Sequence, residues 1–478
     1  MRSEQRRLPD PRSSSSTEWL TGLRGYAAAC VVASHFAGVY WSDTKFAYGS
    51  RVSDYTGNYV FQLPILRLVV DGDAMVLIFF VVSGYSISVG PLRLARQNGA
   101  LSTCSHVGWS ALRRPLRLLV PPLAVTLLTA LAAGLGLCNR AHTLTDLPDD
   151  FHRLFHGWNV AHAPRTVIGG TGATLPALTA QLRHWLYASL AWVTMSTSRN
   201  PYGTQLWTIM VELRGSMYVY LILVATSWLS SRARAAAVVI LAAIAWFGGG
   251  QLDHPALFWA GIAMCEINMR MQSKSSNGPL PTVDSRPRSG AQGWTALKHL
   301  CHFTGLYLLS MPTYRASISP FYAWLDYACN PLSSRQAKLL GTIVTVGSIS
   351  VCPRIKAFFS NSLARYLGRI SFSLYLVHIA ILSTVGYPLA DAIWHLLRQC
   401  GPDGGLSRTK YDVGAVTTAV ILVPLLVTAS HLFCISVDEP SIRAAKCMER
   451  ILRLYAGALK KTVVGRERFM DDQKGAFL

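Results

Sequence analysis

The sequence predicts an all-α, polytopic membrane protein, and three observations lead there. The first is composition: of 478 residues, 51% are hydrophobic and 14% charged, with a mean hydropathy of +0.30. Soluble domains carry about a quarter charged residues. The second is a series of apolar runs at 20–41, 74–90, 115–137, 206–228, 234–250, 255–271, 296–312, 337–352, 369–391 and 411–436. Read as spans, they give about ten transmembrane helices. The third is charge asymmetry. Lys and Arg favour the termini and the loops on the N-terminal side by about two to one, the bias of cytoplasmic segments.

The same composition sets aside other classes. A net charge of +21 suits nucleic acid when it forms one patch, but here the basic residues punctuate apolar runs, so no nucleic-acid partner is expected. The ten cysteines are scattered without CxxC spacing, which points to neither a zinc site nor a disulfide framework, and no metal is expected. The patterns HExxH, GxxxxGK[ST] and GxGxxG do not occur, leaving hydrolytic zinc and nucleotide chemistry without support.

In chain order, residues 1–17 are polar and rich in arginine and serine, the composition of a disordered cytoplasmic tail. Residues 18–440 make up the membrane domain, and 441–478 a basic cytoplasmic tail. With no signal peptide before it, the first apolar run reads as an uncleaved anchor. The charge bias puts both termini in the cytoplasm, in either the endoplasmic reticulum or the plasma membrane. Residues 138–205 form a long loop on the other side, whose piece LRHWLYASLAWV is amphipathic and suited to lie on the membrane or lid a cavity. Residues 272–295, rich in Ser, Pro and Gly, read as a flexible linker. Residues 441–464 fit a basic amphipathic helix on anionic lipid. No internal repeat of the kind found in many secondary transporters is visible.

The first run, WLTGLRGYAAACVVASHFAGVY from Trp19 to Tyr40, carries two residues that lipid does not tolerate, Arg24 and His35. At about 100° per residue, eleven positions bring both side chains to one face, roughly 16 Å apart along the axis. Ionisable groups inside a membrane face a bundle interior or wet cavity and mark function by default. The alternative is that Arg24 snorkels to the interface and His35 is a satisfied core histidine.

Further motifs follow in a fixed order: GDAMVLIFFVVSGYSIS (Gly72 to Ser88), RRPLRLLVPP (Arg113 to Pro122), LWTIMVE (Leu206 to Glu212), LGRISFSLYLVH (Leu367 to His378) and VDEP (Val437 to Pro440). With the R-x10-H pair, this series resembles the acyltransferase-3 family of integral-membrane acyltransferases in its fungal form, over about residues 18–440. The resemblance implies transfer of an acyl group, often acetyl, from a cytosolic thioester such as acyl-CoA to a hydroxyl. Acceptors across the family include glycans, lipids and small secondary metabolites. Here a small-molecule acceptor is expected, because no appended extracytoplasmic domain is present to handle a polymer. Acyl-CoA is then a co-substrate and not a bound cofactor.

On this resemblance Arg24, Arg114 and Arg117 bind the phosphates of CoA, since guanidinium grips phosphate bidentately and stays charged. The bland alternative is that the RRPLR arginines, near the start of the third helix, only set topology. The pantetheine arm extends along the first helix to His35, the general base on the acceptor hydroxyl, because imidazole titrates near neutral pH. A covalent acyl-histidine is the less favoured alternative. Glu212 is the candidate carboxylate to orient His35, or else it pairs with an arginine. Ser83, Tyr85, Trp207, Tyr375 and His378 are candidate cavity-lining residues, and Gly84 permits close helix packing. Where bacterial relatives often carry an acid before paired phenylalanines, this chain has Leu77, so Asp71 or Asp73 would have to substitute. Glu439 reads as structural. The rival class is a carrier or flippase in which Arg24, His35 and Glu212 bind or relay ions.

Overall fold

The structure, a computed structural model, describes residues 17–50, 58–138, 174–248, 253–276, 289–313, 316–328, 334–399 and 406–475. Helices longer than six residues are numbered in chain order: α1 (Glu18–Tyr40), α2 (Gly72–Gln97), α3 (Gly99–Gly134), α4 (Leu175–Val193), α5 (Trp207–Ala225), α6 (Ser231–Gly248), α7 (Asp253–Ser276), α8 (Ser289–Leu309), α9 (Ser334–Val351), α10 (Ser362–Ile381), α11 (Tyr387–Gln399), α12 (Arg408–Phe433) and α13 (Glu439–Gly475). Among the described residues there is no strand, only an isolated bridge between Asn200 and Gly203.

Every predicted span coincides with a helix, but the expected number of transmembrane helices is not reached. Among the described residues, five segments are long and apolar enough to cross a membrane by length and composition: Gly72–Gln97, Gly99–Gly134, Thr204–Ala225, Ser362–Gln399 and Arg408–Ala458. They mark a membrane protein. The shortfall has a physical cause. A span needs about 20 predominantly apolar residues. Helix α1 carries Glu18, Arg24 and His35, α6 carries Arg232 and Arg234, α7 carries Glu266 and Arg270, and α9 carries Arg335 and Lys338. Two of the five segments run through a π turn, Leu382–Gly386 after α10 and Cys434–Asp438 after α12. Such turns recur at functional sites.

Three further expectations are corrected. The third helix begins at Gly99, well before residue 115, so Arg113, Arg114 and Arg117 lie mid-helix and not at its start. The 272–295 linker is shorter, because α7 runs to Ser276 and α8 starts at Ser289, leaving 277–288 outside the described residues. The LRHWLYASLAWV piece does form a helix, α4, but it contributes no side chain to either cavity described below. It packs on α3, where the Trp185 indole N–H donates to Thr126 Oγ1 at 3.1 Å, and exposes Leu186, Tyr187 and Leu190. The disordered-tail expectation for residues 1–17 falls almost wholly outside the described residues. The basic amphipathic helix expected over 441–464 lies within the longer α13.

Two close helix crossings position the site. Helix α1 lies along α10: a Cβ on Gly25 would stand 2.4 Å from the backbone nitrogen of Gly368. Helix α2 crosses α7 just as tightly, since a Cβ on Gly84 would come 2.1 Å from the Phe258 carbonyl oxygen. Small residues let backbones approach in this way, which is how membrane helices gain packing where lipid is as apolar as the side chains. Around these crossings Trp19, Phe80, Leu206 and Phe258 are fully buried. The result brings α1, α2, α3, α5 and α10 around a polar interior.

Candidate active site

That interior holds two cavities. The first, about 420 Å³, is basic: Arg24 enters it from α1, and Arg113, Arg114 and Arg117 from α3. The i, i+3 spacing of Arg114 and Arg117 puts both on one face of α3. Helix α5 supplies Glu212, which pairs with Arg114. The Arg114 Nε–H also donates to Ser216 Oγ at 2.9 Å. Arg113 instead pairs with Glu449 of α13 and donates to Ser110 Oγ at 3.0 Å. The Arg24 Nε is buried and has no hydrogen-bond partner among the described residues. The cavity therefore holds more guanidinium than carboxylate, and Arg24 and Arg117 are not in any ion pair found among the described residues. An arrangement of this kind can take up a polyanion.

The second cavity, about 390 Å³, contains His35 from α1, with Ser34, Trp207 and a cluster of charges. Asp71, which caps α2 by accepting from the Ala74 N–H at 3.0 Å, is held between two cations. Lys338 Nζ donates to its two oxygens at 2.9 and 2.8 Å, and Arg67 Nη1 to one of them at 3.0 Å. Burial alone would raise this carboxyl's pKa, but the neighbouring charges of Lys338 and Arg67 outweigh it and hold the group below its ordinary value.

Val76, Thr208 and Tyr375 line both cavities. The Tyr375 hydroxyl donates to the Gln205 carbonyl at 2.9 Å and lies 2.6 Å from Thr208 Oγ1, so the two compartments meet at a pair of hydroxyls.

The sequence-selected residues are thus divided between compartments. Arg24, Arg114, Arg117 and Ser83 line the first cavity, His35 and Trp207 the second, and Tyr375 both. Glu212 lies with the arginines and not in the His35 cavity, and its pairing with Arg114 is the alternative weighed against a role in orienting His35. The His35 ring packs against that of His378, with centroids 5.0 Å apart. His378 Nδ1 is 3.2 Å from the Leu374 carbonyl, which makes Nδ1 the protonated nitrogen; its Nε2 is buried without a partner among the described residues. His378 lines neither cavity. Nor does Tyr85, which is buried with its hydroxyl accepting from Asn268 Nδ2 at 3.2 Å. Asp71, weighed as a substitute acid, does share the His35 cavity. Lys338, Arg67, Thr208 and His106 were not singled out from the sequence, though Lys338 inside an apolar run was a visible signal. Among the described residues no group of three His, Cys, Asp or Glu side chains is placed to hold a metal ion.

The fold and its polar interior define a helical membrane protein with two cavities that share Val76, Thr208 and Tyr375. The chain is similar to the O-acetyltransferase PaAT-1 of Phomopsis amygdali, 29% identical over 92% of this chain and 86% of that protein. It is similar to the acyltransferase R4 of a Phoma species at 26% identity, covering 93% and 98% of the two chains. It also resembles the acyltransferase clz18 of Cochliobolus lunatus, 25% identical over 93% and 97%. No protein-family model matches the chain, and no solved structure does. On these similarities the protein is an enzyme that transfers acyl groups.

Proposed function

We propose that the protein is a membrane O-acyltransferase of the acyltransferase-3 type that moves an acyl group, acetyl in the first instance, from acyl-CoA to a hydroxyl of a small-molecule metabolite. The observation that carries this reading is the pair of cavities meeting at Thr208 and Tyr375, with guanidinium groups in one and His35 in the other. Arg24 and Arg117, with Arg114 held by Glu212, offer charge-assisted hydrogen bonds to the phosphates of CoA. The thioester end then reaches the shared boundary. From the other side, the acceptor presents its hydroxyl to His35, which takes the proton as the oxygen attacks the thioester carbonyl. The tetrahedral intermediate collapses to an ester and CoA thiolate, and the thiolate is protonated as it leaves. The Tyr375 and Thr208 hydroxyls both donate to the Gln205 carbonyl, and either would have to turn from it to donate to a developing oxyanion at the boundary. A cavity of about 390 Å³ suits a small acceptor better than a polymer or a long-chain lipid.

The test is comparative metabolite profiling of parent and deletion strains. The deletion should accumulate a precursor lighter than the parent product by one acyl group; identical profiles in every fraction argue against the reading. Donor binding is tested separately. Because Arg117 lies outside the Arg114–Glu212 pair, Arg117→Ala should leave no carboxylate stranded in that pair. It should raise the KM for acyl-CoA about ten- to a hundredfold, the usual loss of a charged hydrogen bond, with kcat little changed. An unchanged donor KM would make Arg117 a topology signal only. The reading also places both termini in the cytosol with the donor, so reporter tags at residue 5 and after residue 465 should both report cytosolic.

A further inference from the structure

Helices α1 and α10 run parallel and in step. Gly22 lies against Ala364 and Gly25 against Gly368, and ten residues beyond Gly25 and Gly368 stand His35 and His378. At about 1.5 Å per residue both have travelled the same distance along their axes, so the register itself delivers one histidine to the other. Their ring centroids are 5.0 Å apart, with the planes tilted by 45°. A nitrogen-to-nitrogen hydrogen bond of about 3 Å, added to the radius of each ring, spans about that separation. The two rings differ in their surroundings. His35 is half-buried and lines the second cavity, whereas His378 is 3% exposed and lines neither. With its Nδ1–H given to the Leu374 carbonyl, His378 keeps at Nε2 a lone pair that can only accept, and that atom is buried without a partner among the described residues. The neighbouring Tyr375 ring, 5.8 Å away between centroids, has its hydroxyl committed to the Gln205 carbonyl. An unfilled buried acceptor is costly, and a donor from His35 fills it.

We infer that His378 is the positioning residue of the proposed base: His35 donates one ring N–H to His378 Nε2, which leaves its other nitrogen unprotonated toward the acceptor hydroxyl. This deepens the function proposed above and rests on it. Which nitrogen of an imidazole carries the proton is set by the hydrogen bond the other makes. In a serine protease a carboxylate sets it. Here a neutral imidazole does, itself fixed by the backbone of α10. In the reaction the free nitrogen of His35 takes the hydroxyl proton as the oxygen attacks the thioester carbonyl, then gives it to the CoA thiolate that leaves. The N–H toward His378 is kept throughout and steadies the imidazolium that exists between the two transfers. His378 neither gains nor loses a proton and touches no substrate.

The experiment supplies labelled acetyl-CoA and a metabolite extract of a deletion strain to the intact protein in membranes. His378→Leu removes the acceptor atom. It should lower the rate at saturating acetyl-CoA about ten- to a hundredfold, the range found when the partner orienting a metal-bound histidine is lost, with the KM for acetyl-CoA unchanged. His378→Phe, also without an acceptor, takes its place should the leucine variant not reach the membrane. His378→Gln, whose amide can accept from His35 and donate to the Leu374 carbonyl, should keep most of the parental rate. In the His35→Gln background, His378→Leu should cost nothing further, because the two residues act as one unit. Equal losses in His378→Leu and His378→Gln, or the same further loss in the His35→Gln background, make His378 a packing residue and overturn the inference. A His378→Leu protein working at the parental rate overturns it too, while leaving acyl transfer intact. No label transferred by the parent overturns both readings together.

Discussion

Acyl transfer should fall by about 10²- to 10⁴-fold in His35→Gln, the usual cost of removing a general base, with expression and donor affinity retained. The separation of compartments is what makes the two variants distinguishable. His35 lines one cavity and Arg24, Arg114 and Arg117 line the other, so a change at His35 leaves the proposed phosphate contacts untouched. Glutamine keeps polarity and much of the size of imidazole but has no nitrogen that titrates near neutral pH. The loss should therefore appear in kcat, whereas Arg117→Ala should appear in the donor KM. Transfer at near parental rates by His35→Gln would make His35 a structural histidine packed on His378 and remove the proposed mechanism. Solute flux that tracks Arg24 and His35, in membranes where the parent shows no transfer from any acyl-CoA, would favour the carrier class instead.

The parts of this site visible in the sequence are those whose oddity is local. Arg24 and His35 stand out because an apolar run contains them, and the RRPLR arginines because they cluster. Their division into two compartments is not local. It follows from which side of the α2, α5 and α10 contacts each side chain falls on, and Val76, Thr208 and Tyr375, from those three helices, form the boundary. Pairing was equally hidden. Glu212 had candidate partners nearby in sequence, yet its partner is Arg114, 98 residues away. Asp71 and Lys338 are 267 residues apart, and nothing in the periodicity of either segment announces the other. Helix limits failed for a related reason. The polar stretch from Gly99 to Ser110 reads as a loop by hydropathy, but as helix it packs beside α2 and α13, where Arg453 stacks 4.7 Å from the Trp109 ring. The expected number of spans erred in the opposite direction: helices such as α1, α7 and α9 carry charge toward the interior, so their composition falls below that of a lone spanning helix while the bundle still accommodates them.

Asp71→Asn should lower stability by about 3–5 kcal/mol, the cost of breaking a buried ion pair from one side. The carboxylate is the shared counter-ion of Lys338 and Arg67, all three groups being less than a tenth exposed. Asparagine fits the same space and can still accept from the Ala74 N–H, so the N-cap of α2 survives and the loss reports the charge. The measurement is the thermal midpoint of detergent-solubilised protein by fluorescence-detected size exclusion, with abundance in membranes alongside. Lys338→Met added to Asp71→Asn should recover part of the loss, because it removes one of the two stranded cations, with Arg67 remaining. The pH dependence has a definite sign. The folded carboxyl titrates below its ordinary value of 3.8, so its contribution is complete above that value and disappears only as the pH falls through the depressed folded one. The gap between parent and Asp71→Asn should accordingly stay constant from about pH 5 to 8. A gap that closes within that window, or a variant as stable as the parent, would mean that the triad is not the counter-ion arrangement that holds α2 and α9 together.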